Sequence, residues 1–367
     1  MIKEIENIER HKVCLLGAER ERRARHFQTS AAKDWTFEAN KRYAQTAEAV
    51  GFEYALLQTR FIANYGAENQ LEAATLAASL ASVTSRIKLI SAVLPGLWHP
   101  GVYAKMIATL DHISRGRAAV NVVSGWFKGE FTGYGEPWLE HDERYRRSEE
   151  FIRVLRSMWT EEETTFKGDF YRINSAPLKP KPIHTPPIFQ GGNSKAARRM
   201  AARVSDWYFM NGNTLDGLKE QIEDVRSLAE VEERTLNFAV NAFAIVRPTE
   251  SEAVQTLREI VSHRDEEAVR GFSESVKEAG QSTKERDGMW ANSSLEDLVQ
   301  YNDGFKTGLI GTPEQVADRI IELKKIGVDL VLVGFLHYET DLEAFGEDVI
   351  PLVREKEQAL RDRGVVV

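Results

Sequence analysis

The sequence predicts one (β/α)8 barrel, an α/β fold, on three observations. Short apolar runs alternate with longer amphipathic stretches along the whole chain, eight such runs can be counted, and no GxGxxG loop follows an early run. A length of 367 residues suits a single barrel domain over 1–367. The runner-up, an open doubly wound sheet, lacks its dinucleotide fingerprint, because the GYG at 133–135 is only a loop fragment.

The expected strands are 12–17, 54–58, 87–93, 118–123, 187–190, 207–211, 238–246 and 330–335. Each is apolar on successive residues, as parallel strands covered on both faces must be. Helical patterns lie between them. Residues 37–50 carry Tyr43, Ala47 and Val50 at helical spacing before Gly51, and 71–81 is rich in alanine. Residues 141–159 repeat Tyr145, Ile152, Leu155 and Trp159 on one stripe, and 195–204 leads at once into a strand. Thr312-Pro-Glu-Gln315 combines an N-cap threonine, a proline in the first turn and a glutamine three residues on, opening a helix that runs to Gly327. The stretch of about 262–307 is too long for one crossover and is expected to be an insertion between the last two strands, with 281–292 as a lid loop.

Composition removes several classes of function. An excess of 56 acidic over 48 basic residues leaves a net charge of −8, which argues against nucleic-acid and anionic-membrane partners. The single cysteine, Cys14, excludes an internal disulfide and a cysteine-built metal centre. No apolar run approaches the roughly 18 residues of a bilayer span, and MIKEIENIERHK lacks the apolar core of a secretion signal, so a cytoplasmic protein is expected. The histidines at 11, 26, 99, 112, 141, 184, 263 and 337 form no HExxH, and neither a GxSxG elbow nor a Walker A loop is present. No metal site is expected. A carboxylate pair for glycoside hydrolysis remains open, with no residue singled out.

Three places can carry chemistry at C-terminal strand ends. The run 118–126 ends with Asn121, Ser124 and Trp126; the two polar groups either face a ligand or satisfy core backbone, and both readings stand on residue type. Gln190-Gly-Gly-Asn-Ser194 opens a helix, where backbone N–H groups and the helix N-terminus favour an anion such as phosphate; a plain capped turn is the competing reading. Arg144 lies in the first turn of the 141–159 helix, where a cation opposes the helix dipole and calls for a phosphate or for nearby Asp142 and Glu143.

The segments 51–61 (GFEYALLQTRF), 120–131 (VNVVSGWFKGEF), 135–153, 168–182, 203–214 and 294–315 resemble the bacterial luciferase-like two-component flavin monooxygenases, over a stretch from about Trp35 to the end. The resemblance implies a (β/α)8 barrel of the bacterial luciferase-like type with FMN as cofactor, used as FMNH2. It places Thr59, Arg60, Asn121 and Glu130 against the ring and ribityl chain, and Arg144, Tyr145 and Ser194 on the phosphate. The reactive species would be a peroxyflavin formed from FMNH2 and O2, not an amino-acid nucleophile. The implied reaction cleaves dimethyl sulfone to methanesulfinate and formaldehyde, within sulfur assimilation. The implied partners are a separate NAD(P)H-dependent flavin reductase and further copies of the chain, as a dimer or tetramer. Trp98, His99, Trp126, Phe335 and His337, at or after strand ends, are candidates for the pocket wall, with no catalytic role assigned to any one of them.

Alkanesulfonate-oxidising relatives, as aligned, carry an arginine, a histidine and a tyrosine where this chain has Asn241, Phe243 and Phe335, so a neutral substrate is favoured over an anion. Another small neutral substrate of pyrimidine type, an F420-dependent oxidoreductase and a catalytically silent flavin-binding barrel are the alternatives. Residues 1–35 depart from the family pattern: 11–17 and the charged stretch 19–25 stand where relatives have an aromatic strand and a glycine-containing loop.

Overall fold

The computed structural model describes residues 12–16, 35–62, 69–264, 266, 269–271, 273–274, 293–294, 299 and 301–364. Eight parallel strands close into a barrel: β1 (Lys12–Leu16), β2 (Tyr54–Leu57), β3 (Lys88–Val93), β4 (Ala118–Val122), β7 (Ile188–Gly191), β8 (Trp207–Met210), β9 (Asn237–Phe243) and β12 (Leu330–Gly334). They follow one another around the ring in chain order, and β1 completes it by pairing with β12 (Lys12↔Leu330) and β2 (Cys14↔Tyr54). The atypical N-terminal region therefore still supplies the first strand, while 17–34 and the 281–292 segment lie outside the described residues.

The interior is filled unevenly along the barrel axis. Near the N-terminal end Phe189 stacks on Trp207 with centroids 5.0 Å apart, and Tyr54 meets both edge-on at 6.1 and 6.3 Å. Leu56, Ile90, Ala119, Ala239, Leu330 and Leu332 complete this plug. Above it the inward positions include Ala92 and Gly191, so the packing opens into a pocket at the C-terminal mouth.

Helices cover the outside. α1 (Phe37–Ala49), α2 (Ala73–Ala81) and α3 (Pro100–Ser114) follow the first three barrel strands. The short α4 (Lys128–Gly133) and the long α5 (His141–Thr160) follow β4, with the Trp159 indole N–H donating to Ala104 O at 3.1 Å to tie α5 to α3. Next come α6 (Lys195–Val204), α7 (Leu215–Val231) and α8 (Glu250–Ser262), and then α9 (Pro313–Lys325), whose Thr312–Gln315 capping box forms as the sequence predicts. A helix at Tyr338–Ala344, a π turn at Phe345–Val349 and a last helix at Ile350–Asp362 end the described chain. Among the described residues no helix is long and apolar enough to cross a membrane.

Two features differ from expectation. An antiparallel hairpin, β5 (Glu163–Lys167) with β6 (Arg172–Pro177), lies between α5 and β7; its residues are mostly exposed, so it leaves no apolar run to read. The expected strand 238–246 breaks at Ala244. β9 ends there, and β10 (Ile245–Val246) turns away to pair with β11 (Ile310–Gly311), its first N–H donating to Leu309 O at 2.9 Å. That small sheet joins the two ends of the insertion. A 3-10 helix at Tyr301–Thr307 brings the insertion back, and its Thr307 hydroxyl donates to Asn241 O at 2.6 Å.

Candidate active site at the barrel mouth

The pocket is lined by strand ends on both sides of the barrel, including Gln58, Thr59, Arg60, Asn121, Trp126, Glu130, Gly191, Gly192, Phe209 and Asn211 over a floor of Leu56 and Leu332. One wall is already locked. The buried Thr59 hydroxyl donates to Ala92 O at 3.2 Å and accepts from Ala73 N at 3.3 Å, fixing the end of β2 to β3 and to the start of α2. Glu130, 2% exposed, accepts the Phe61 N–H and sits 3.3 Å from Arg60 Nε, while the Arg60 guanidinium lies 4.4 Å from the Trp126 ring centroid. A charge pair against an aromatic face in a sheltered site holds its geometry better than either charge alone would.

Asn121 separates from Ser124. The Ser124 hydroxyl is buried against Ser148 Oγ at 2.9 Å and anchors the strand end to α5, so it takes the structural reading. Asn121 lines the pocket, and its Oδ1 meets no donor among the described residues although it is sealed from solvent. Leaving such an acceptor unmet costs about 1–3 kcal/mol, which a ligand N–H could recover.

The glycine turn lies beside this wall. Gly192 has φ +130°, and a Cβ there would sit 2.5 Å from the Tyr145 hydroxyl and 2.8 Å from Ala197 Cβ, so only glycine fits. Ser194 caps α6 by accepting from Ala197 N at 3.3 Å. Burial holds the Tyr145 phenol above its ordinary pKa, an effect opposed by its hydrogen bond with Ser194 and by the Arg144 charge. Behind the turn, the buried Tyr208 hydroxyl donates to Gly192 O, and Gln221 Nε2 donates to Tyr208 Oη at 2.7 Å and to Asn193 Oδ1 at 3.2 Å. Thus Tyr145, Gly192 and Ser194 meet at one point, the N-terminus of α6.

Arg144 has partners of its own. It is 2% exposed, but its Nη1 donates to Leu139 O at 2.8 Å and its guanidinium lies 4.0 Å over Trp138. The carbonyl and the indole face thus meet part of the demand that the sequence reading assigned to an anion. Burial lowers its pKa, and Nε has no acceptor among the described residues, so one donor remains to be met. His141 is a further residue here that composition and motif reading passed over. Its ring centroid is 5.0 Å from that of Tyr145, one helical turn away on the same face. The spacing of four residues was the available signal.

Of the five expected wall residues, Trp126 lines the pocket. Phe335 does not: it packs outward against Phe52, Tyr338 and Phe345 at 5.5–6.3 Å, since Leu330 and Leu332 take the inward parity of β12. His99 is exposed and caps α3, its Nδ1 accepting from Gly101 N at 3.2 Å. His337 is exposed at the start of the Tyr338–Ala344 helix. Trp98 packs against Phe61 and Tyr103. Phe243, Ile245, Val269 and Val299 form a second apolar cluster, with Trp126 and Phe305 packed on it, so it meets the pocket at Trp126.

The profile of the family described as luciferase-like monooxygenase matches residues 22–330. The chain is 56% identical over 324 residues to an FMNH2-dependent dimethylsulfone monooxygenase of Pseudomonas fluorescens (strain Pf0-1), covering 88% of this chain and 89% of that one. It is 57% identical over 329 residues to a protein of the same name from Pseudomonas putida, covering 89% and 91%. In three dimensions it resembles a riboflavin lyase solved with modified FMN and riboflavin, at TM-score 0.82 and 21% identity, covering 98% and 93% of the two chains. A closed barrel with a capped glycine turn at its mouth, matched by that profile from before β2 into β12, makes this chain a member of the luciferase-like monooxygenase family.

Proposed function

We infer that the protein is an FMNH2-dependent monooxygenase that cleaves dimethyl sulfone. One oxygen atom of O2 ends in formaldehyde and the other in water, FMNH2 is oxidised to FMN, and the remaining fragment leaves as methanesulfinate. The observation that carries this reading is the likeness, over almost nine-tenths of the chain, to proteins of that name.

The residues at the mouth fit the cofactor. Asn121 Oδ1 is a sealed acceptor suited to a ring N–H, and the Gly192 turn with the start of α6 is a cradle that a Cβ would fill. In this reading Thr59, Arg60, Asn121 and Glu130 hold the isoalloxazine and ribityl chain, while Ser194, Tyr145 and Arg144, joined by His141, hold the phosphate. Bound reduced FMN supplies the chemistry that activates O2. The protein's own part is to orient and to keep dry. The Arg60–Glu130 pair on Trp126 fixes one wall, and the apolar cluster of Phe243 and Phe305 packed against Trp126 helps keep that wall dry.

Reduction of the flavin falls to a separate NAD(P)H-dependent reductase, and the enzyme works in the cytoplasm as a dimer or tetramer. The test is a coupled reaction with flavin reductase, NADH and FMN. Formaldehyde formed from dimethyl sulfone in step with oxygen uptake is the expected result. FMNH2 binding without formaldehyde would remove the substrate and leave the family standing.

A further inference from the structure

We propose that the side-chain amide of Asn211 donates the hydrogen bond that seats a sulfone oxygen, making it a specificity-determining residue; this rests on the functional reading above. Asn211 follows β8, whose alternate residues Trp207 and Phe209 face the barrel interior, and it lines the pocket beside Phe209. Its Nδ2 is sealed from solvent and meets no acceptor among the described residues. An amide N–H left that way is a standing cost, relieved by a ligand that brings an acceptor.

The surrounding groups narrow what that ligand is. Around the barrel, β8 stands four strands from β2, so Asn211 looks across the mouth at Thr59 and Arg60. Those two are committed, Thr59 to the backbone and Arg60 to Glu130. On the Asn211 side the lining is Phe209, Gly191, Gly192 and Leu332, with no charge among them. Dimethyl sulfone has two oxygen acceptors, no donor, no net charge and two methyl groups. A neutral donor among apolar walls matches it, whereas a sulfonate in the same place would need a cation. Among the described residues the charged sulfinate product meets no such cation on this wall, which favours its release.

The position is also rigid. A Cβ on the next residue, Gly212, would collide with the Asp303 carbonyl oxygen and the Thr307 hydroxyl, so the backbone after Asn211 is pressed against the 3-10 helix of the insertion. Thr307 in turn is bonded to Asn241 O at 2.6 Å. A donor held this firmly discriminates among substrates better than one that must be ordered on binding.

Asn211→Asp replaces donor by acceptor at constant size, Asn211→Leu removes polarity, and Asn211→Ser keeps a donor. Binding of dimethyl sulfone to the FMN-loaded proteins is read without turnover by saturation transfer to its methyl NMR signal, alongside KM in the coupled reaction. The Asp and Leu variants are expected to bind the sulfone about ten-fold more weakly and to show a KM about ten-fold higher, with FMN affinity kept and part of the loss recovered by Ser. Unchanged sulfone affinity in either variant overturns the proposal. So does an equal loss of FMN affinity, which would assign Asn211 to the flavin. A wild-type protein that neither binds nor turns over the sulfone would instead bring down the functional reading itself.

Discussion

The two ends of the barrel treat buried polar groups in opposite ways. At the N-terminal rim several charged groups are met largely by backbone, although the buried Ser205 hydroxyl has no partner among the described residues. Asp111 accepts from Ile183 N at 2.7 Å, His184 N at 3.1 Å and Ala118 N at 3.4 Å, and Asp206 and Asp329 accept from Ile188 N in β7 and Phe238 N in β9 at 2.8 Å each. Arg117 donates to Ser114 O, Thr84 Oγ1, Ile87 O, Ala81 O and Thr84 O. At the C-terminal mouth Asn121 Oδ1, Asn211 Nδ2, Gln190 Oε1 and Arg144 Nε are sealed without partners among the described residues. One fold thus keeps its stability at one end and its unspent hydrogen-bonding capacity at the other. Unmet buried groups are tolerated where a ligand can meet them.

The largest effect expected from this contrast is at Asp111, which is 1% exposed. Asp111→Ala strips charge-assisted acceptors from the buried Ala118 N–H and the part-buried Ile183 and His184 N–H groups and should cost about 3 kcal/mol in chemical denaturation, while FMN affinity of the folded fraction stays at the wild-type value. A fall in FMN affinity at native conditions would show that the two ends are not independent.

The same contrast explains what the sequence disclosed. The barrel strands were legible because a parallel strand covered on both faces calls for an unbroken apolar run, which the sequence carries at each of them. The β5–β6 hairpin was not, because its exposed residues carry no such run, and the break at Ala244 is set by a distant partner, Ile310–Gly311, which local pattern cannot reveal. In the site, the glycine pair before a helix start pointed to an anion cradle at Ser194, while Tyr145, which the structure places beside Gly192 and Ser194, entered only through the family resemblance. Arg144 was read from its charge in the first turn of a helix and from the family resemblance, and the indole of Trp138 beneath it depends on tertiary packing. Phe335 could have been placed by parity with Leu330 and Leu332, and His99 by its position before Pro100 as a helix cap. Asn211 stood inside a recognised segment, but an unmet amide is visible only once its neighbours are known.

At the mouth the sign should reverse. Asn121→Leu removes a sealed acceptor at similar size, so the protein without flavin should gain about 1 kcal/mol of stability, while FMN binding should weaken about five-fold through loss of one neutral hydrogen bond. Thermal unfolding with and without FMN separates the two. A variant destabilised without flavin would mean that Asn121 serves the fold.

The smallest effect tests the N-terminal rim by pH. Glu48, near the end of α1, is raised by partial burial, but hydrogen bonds from Ile87, Arg86 and Ser85 outweigh this and take its pKa from 4.5 down to about 2. A carboxyl lowered by folding stabilises the native state fully above its ordinary value. The contribution is lost as pH falls from about 4.5 through about 2. Glu48→Gln should therefore flatten the acid limb of the stability curve in that window. Because the group is partly open to water, screening keeps its share to about 1 kcal/mol. The Gln side chain still offers one acceptor to the loop before β3, so stability at pH 7 should fall by no more than that amount. An acid limb identical to wild type would mean that the Glu48 contacts persist in the unfolded chain or that other carboxyls set the transition, and the rim would then owe less to this side chain than its hydrogen bonds suggest.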